Sequence, residues 1–184
     1  DEIYSRMLYE GRRHVSLLEF EALRDRVILL DGWSKTYAMT GWRLGYGVWP
    51  KDLIEPATRL AINCHSCVNA ATQYAGIAAL EGPQDAVDDM VRAFYERRRV
   101  IVGELNQTPG VTCADPGGAF YAFANISGTG ITAAEFQDRM LNEASVATIA
   151  GTSFGRFGEG YVRFSYANSR ENIKAAIGRI RESL

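Results

Sequence analysis

Long apolar runs are missing: nowhere in the 184 residues does one approach the ~20 that a membrane span needs. No signal-like segment opens the chain either. A cytoplasmic location is the expectation, with no membrane partner. An excess of one charge is missing too. Twenty Lys and Arg stand against 22 Asp and Glu, a net charge of −2, so there is no general electrostatic reason to expect nucleic acid as a partner. Cysteine is scarce and odd in number, with only Cys64, Cys67 and Cys113, and disulfides are not expected to carry the fold. Cys64-His65-Ser66-Cys67 has the look of a metal or redox motif. A structural zinc takes four ligands, though, and the chain offers only His14 and Cys113 as further soft ones, so no metal is expected. Repeats and low-complexity tracts are absent. What remains is 47% hydrophobic, enough to bury a sizeable core as one large domain or parts of two.

The most informative run is Gly32-Trp33-Ser34-Lys35-Thr36-Tyr37-Ala38-Met39-Thr40-Gly41-Trp42-Arg43-Leu44-Gly45. A lysine beside a strand end, among small neighbours, can shed enough hydration for its amine to act as a nucleophile and form a Schiff base. Arg43 adds a planar, permanently charged fork suited to a phosphate dianion. An aldehyde and a phosphate are both present on pyridoxal phosphate, whose protein partner positions it and tunes its electronics.

The run resembles the lysine signature of class I/II aminotransferases, in the fold-type I group of pyridoxal-phosphate enzymes. One position departs from the pattern. Where the family often has a phosphate-bonding serine three residues before the lysine, this chain has Gly32, which leaves that contact absent or to a backbone N–H. Asp1-Glu2-Ile3-Tyr4 is similar to the family's Asp-x-x-Tyr at a strand end. The resemblance implies that Asp1 faces the cofactor's ring nitrogen, keeping it protonated, and that Tyr4 faces its O3′. Arg163 lies in Gly160-Tyr161-Val162-Arg163-Phe164-Ser165-Tyr166-Ala167, an alternating pattern for a strand with one buried face. An arginine there needs an anion. The resemblance names the substrate's α-carboxylate, and a salt bridge to Glu159, Asp115 or another acid is the structural alternative. It also places Pro116 to Tyr121 along the substrate side, and Ser66 and Asn69 near a partner subunit's phosphate site.

The pattern predicts a short buried parallel strand over Arg26 to Asp31, delivering Lys35 past its carboxyl end, where open α/β sheets bind ligands. A second strand is expected over Arg43 to Val48, and helices over Lys51 to Ile62 and Asn69 to Leu80. After Gly82-Pro83 a long helix is expected from about Gln84 to Leu105. It has Val87, Met90, Val91, Phe94, Ile101 and Leu105 inward and Arg97-Arg98-Arg99 on a solvated face. Beyond it come strands near 111–113, 119–126, 146–149 and 161–167, and helices over Thr132 to Ala144 and Ser169 to Ser183. Ser169 is the expected cap of the last helix, with an apolar stripe of Ile173, Ile177, Ile180 and Leu184. The glycine-rich stretch 151–160 is expected to be a flexible loop over the pocket.

The expected class is therefore α/β: the C-terminal part of a fold-type I transferase. Residues 1–90 would belong to the cofactor-binding large domain and its parallel or mixed sheet, and 91–184 to a small α+β domain. The resemblance begins deep inside the family's large domain, so a C-terminal portion of a longer protein is expected, inactive by itself. In full length, the implied function is ping-pong amino transfer between an amino acid and a 2-oxo acid by a homodimer, with aspartate-like or broad specificity. A carbon–sulfur lyase, an aminocyclopropane-carboxylate synthase or an effector-sensing domain of a transcription regulator are the alternatives.

Overall fold

The computed structural model describes residues 1–184. The chain divides into two compact units, Asp1–Asp89 and Met90–Leu184.

In the first unit, two short 3-10 helices, Leu17–Glu19 and Glu21–Arg26, lead into strand β1, Leu29–Gly32. Their start is capped reciprocally: Ser16 Oγ accepts the Leu18 N–H, and Glu19 Oε1 accepts the Ser16 N–H. Strand β1 pairs antiparallel with β2, Gly45–Val48, with Leu29 opposite Val48 and Gly32 opposite Gly45. This corrects the expected buried parallel strand over Arg26 to Asp31. Only Arg26 of it is 3-10 helix and its strand begins at Leu29, its ladder partner is antiparallel, and Leu30 is exposed while Leu29 is buried. A strand wrapped between two helical layers would bury both. The opening residues lie alongside β1, since the Glu2 N–H donates to the Leu30 carbonyl at 2.8 Å.

Helices α1, Lys51–His65, and α2, Ala70–Glu81, follow at the expected places. Asn69 caps α2, its Oδ1 accepting the Thr72 N–H. Gly76 sits where α2 meets the turn after β1; a methyl there would collide with Leu44, and its carbonyl accepts the Trp33 Nε1–H at 3.0 Å. Gln84 gathers the end of this unit, accepting from Arg6 and Tyr37 and donating to Ala79 and Gly82 carbonyls.

The long helix α3, Asp85–Asn106, buries Val87, Phe94, Ile101 and Leu105 as its spacing predicts. Arg98 corrects the reading of Arg97-Arg98-Arg99 as one solvated face: it is 1% exposed and lies 3.4 Å from Asp115. The reason is register. Position 98 falls on the same stripe as 94, 101 and 105, so the helix turns it inward whatever its charge.

In the second unit, β3 (Tyr121–Asn125), β4 (Ile149–Ala150) and β5 (Tyr161–Ser165) form one antiparallel sheet in the order β3-β5-β4. Helices α4, Ala133–Asn142, and α5, Arg170–Ser183, supply Phe136, Met140, Ile173, Ile177 and Ile180 to the core. That core meets the sheet residues Ala122, Ala124, Val162 and Phe164, all buried. Ser169 caps α5 as expected, and Thr132 with Glu135 forms a capping box on α4. Glu159 adds a second carboxylate at that helix start, accepting the Ala133 N–H at 2.9 Å. Four local expectations differ, the first being that only Ile149 of 146–149 is strand, in the two-residue β4. Residues 111–113 make a single bridge, Thr112 to Asn125, because the Asn106 side chain takes both the N–H and the carbonyl of Cys113. Leu184 is exposed, beyond the buried stripe. The stretch 151–160 folds into two 3-10 turns, Gly151–Phe154 and Arg156–Gly158, whose backbones touch at Gly151 and Gly158.

Candidate functional site

Lys35 follows β1 directly, in a turn closed by its own backbone. The N–H groups of Tyr37 and Met39 both donate to the Trp33 carbonyl, and that of Ala38 donates to the Lys35 carbonyl. Ala38 takes a left-handed φ of 53° to close it. Thr36 and Met39 are buried and hold the turn against the unit, leaving Lys35 half-buried. The strand end anticipated from sequence is thus present, reached through a hairpin strand.

Arg43 is also left-handed, with φ 55°, after the 3-10 turn Thr40–Trp42. Its Nη1 donates to the Thr40 carbonyl at 2.9 Å, and no carboxylate of the chain pairs with it. The side chain lines a cavity of about 950 Å³ together with Ala38, His65, Cys67, Asn69 and Thr72. No Asp or Glu lines that cavity, so its one permanent charge is positive. Lys35 is not among the lining residues, although Ala38, in the same turn, is. An adjoining cavity of about 790 Å³ is lined by Asp31, Tyr46 and His65 among others. The Tyr46 hydroxyl points to Asp31 at 3.4 Å, and burial, followed by that carboxylate, pushes the phenol's pKa up.

Asp1 is exposed, and its Oδ1 accepts the Ile3 N–H at 3.0 Å. Tyr4, one turn on, is half-buried, and its carbonyl accepts the Met7 N–H. Ser66 ends α1 with φ 59°, its N–H donating to the Ile62 carbonyl. Asp1, Tyr4, Lys35, Arg43, Ser66 and Asn69 all belong to the first unit.

Arg163 belongs to the second unit, at the centre of β5. Antiparallel pairing puts Phe123 opposite it, and alternation puts Tyr121, Phe123, Tyr161 and Arg163 on the sheet face away from the buried alanines. Its guanidinium lies over the Tyr121 ring at 4.5 Å and the Phe154 ring at 4.6 Å from the centroids. Neither structural alternative holds it, since Asp115 pairs with Arg98 and Glu159 caps α4. Tyr121 was within reach of sequence reasoning, through its segment and the period of two. Phe154 was not, because it comes from a glycine-rich turn with no periodicity. His65 and Thr72 were missed likewise, as cavity walls formed only by tertiary packing.

The family described as aminotransferase class I and II matches residues 1–180. Aspartate aminotransferase from Pyrococcus horikoshii is 42% identical over 186 residues, covering 100% of this chain and 47% of that protein. Aspartate aminotransferase from Geobacillus stearothermophilus is 41% identical, covering 98% of this chain and 47% of that protein. Among solved structures, the aromatic aminotransferase from Pyrococcus horikoshii superposes with a TM-score of 0.94 at 37% identity, covering 98% of this chain and 48% of that one. The chain thus spans about half the length of the curated relatives it matches.

Proposed function

Since the chain belongs to the class I and II aminotransferases, we propose that the full-length protein moves an amino group between an amino acid and a 2-oxo acid with pyridoxal phosphate, in two ping-pong half-reactions. The observation that carries this reading is a pair of arginines, Arg43 and Arg163, each without a carboxylate partner in its unit. One lines a cavity free of acidic side chains and the other sits on a sheet face among aromatic rings. Such sites suit a phosphate and a carboxylate.

The residues present fit the cofactor at its phosphate end, by size of cavity and by sign of charge. When bound, pyridoxal phosphate supplies an aldehyde for an amine to join and a ring that takes up electrons from the substrate's α-carbon. Lys35 would hold it through Nζ and Arg43 would hold its phosphate, with Asp1 at the ring nitrogen and Tyr4 at O3′. Freed by the incoming amino group, Lys35 Nζ would take up the α-proton and later return it. Arg163 would orient the substrate by its α-carboxylate. The relatives' names support aspartate-like or broad specificity. The exposed Leu60, Ile62, Tyr74 and Ile77 of α1 and α2 support a homodimer, with Ser66 and Asn69 near the partner's phosphate site.

The test is an assay of the full-length protein for amino transfer that depends on an added oxo acid, with pyruvate and ammonia release measured in parallel. Transfer is expected. Pyruvate or ammonia release without transfer would move the protein to the lyase-type reactions. Lys35→Ala should remove both transfer and the visible absorbance of bound cofactor.

A further inference from the structure

We infer that Tyr121 and Phe154 are positioning residues, a two-sided aromatic clamp that leaves Arg163 only its in-plane edge for a ligand and so favours planar carboxylates over tetrahedral anions. A guanidinium has two flat faces and one rim of N–H donors. Two rings approach it here, at 4.5 and 4.6 Å from their centroids, one from β3 and one from the turn after β4, the strands that flank β5 on its two sides, while the rim has no hydrogen bond or ion pair within the chain. The rings come from different places and are separately braced. Tyr121 opens β3, its ring 4.6 Å from that of Phe120. Phe154 ends the 3-10 turn after β4, where Gly155, at φ 122°, turns the chain away in a conformation that favours glycine. Phe123 stands edge-on to Phe154 at 6.2 Å and stacks on Tyr161 at 5.1 Å with a 10° interplanar angle. The guanidinium is thereby held in one plane before any ligand arrives.

A carboxylate is flat and meets the rim with two oxygens in that same plane. A sulfonate or phosphonate carries an oxygen out of the plane, towards the electron-rich ring faces, which repel it. The clamp should therefore act on affinity and on the carboxylate-to-sulfonate preference together. This inference rests on the reading of Arg163 as the substrate's carboxylate anchor.

The experiment measures dissociation constants for succinate and 1,2-ethanedisulfonate by calorimetry in the full-length protein, for wild type, Tyr121→Leu, Phe154→Leu, Tyr121→Phe, Phe154→Tyr and Arg163→Lys. Each leucine variant should bind succinate about tenfold more weakly and lose preference for it over the sulfonate. The ring-keeping Tyr121→Phe and Phe154→Tyr should behave as wild type, while a merely space-filling role would leave the carboxylate preference of the leucine variants unchanged as well. Phe154 is 53% exposed, so Phe154→Leu is expected to fold, and the two ring-keeping variants hold the test open if Tyr121→Leu does not. Succinate binding that is absent, or unaffected by Arg163→Lys, overturns the anchor reading and the clamp with it. Binding that falls in Arg163→Lys but stays at wild-type strength and preference in both leucine variants overturns the clamp alone. So does an equal loss in the leucine and ring-keeping variants.

Discussion

Arg98 Nη2 lies 3.4 Å from Asp115 Oδ1, although the arginine side chain is 1% exposed and the aspartate 66%. The two ends of the pair are therefore unequal in energy. Water solvates the carboxylate and screens it, so its loss costs little. The arginine fills core volume on the Phe94, Ile101 and Leu105 stripe of α3, and its guanidinium also lies over Tyr95 at 5.7 Å. Arg98→Ala should destabilise by about 3 kcal/mol through the lost packing, and Asp115→Ala by less than about 1 kcal/mol. Urea unfolding of the two variants checks the order, and equal losses would show that the ion pair outweighs the packing.

Arg98 also marks where pattern reasoning stopped short. Helical spacing places Phe94, Ile101 and Leu105 inward, and the same spacing includes 98, where geometry outweighs the charge of the residue. The helices α1 to α5 were legible because their length repeats one message over many positions, and α2, α4 and α5 also carry a side-chain cap. The short strands were not. Whether residues 111–113 pair depends on the Asn106 side chain reaching the Cys113 backbone, a contact that no local pattern carries. The partner and direction of β1 likewise depend on β2 folding back beside it. In the candidate site, Lys35, Arg43 and Arg163 were legible as charges in apolar or small-residue settings. Phe154 and the cavity walls at His65 and Thr72 come from tertiary packing and left no sequence signal.

Two glycines without strained φ should respond in opposite senses. Gly158 lies backbone to backbone against Gly151, and a methyl on it would collide with the Gly151 carbonyl. Gly158→Ala should cost about 2 kcal/mol or more, since two main chains must part. Gly103, exposed in α3, has nothing within 4 Å of where a methyl would sit. Gly103→Ala should stabilise by about 0.5–1 kcal/mol through helix propensity alone. Thermal denaturation of both variants reads the signs directly.

The three thiols should separate by reactivity. Burial pushes the Cys113 pKa up to about 11, with Asp115 adding to it, whereas Cys64 and Cys67 are exposed. A thiol-specific reagent at pH 8 should label two cysteines quickly and the third only on unfolding. The linkage follows in sign. The folded chain keeps the Cys113 proton to higher pH than the unfolded chain does, so this group's contribution to stability is constant below the ordinary thiol pKa near 9. It declines as pH rises from there to about 11. Cys113→Ala should flatten that decline in a series of denaturation midpoints.

Arg43 provides the sharpest separation of cofactor charge from cofactor shape. Its guanidinium is tied to the Thr40 carbonyl through Nη1, which fixes the side chain while leaving its other donors free for the cavity. Pyridoxal phosphate and pyridoxal differ only by the phosphate. If Arg43 grips that group, Arg43→Gln should weaken the full-length protein's affinity for pyridoxal phosphate by about 10- to 100-fold, the range for hydrogen bonds to charged groups. Pyridoxal affinity should be unchanged. Arg43→Lys should recover part of the loss, since a point charge keeps the attraction without the fork. Equal weakening for both ligands would show that Arg43 shapes the turn after Lys35 instead of binding an anion, a role its left-handed φ of 55° would then explain.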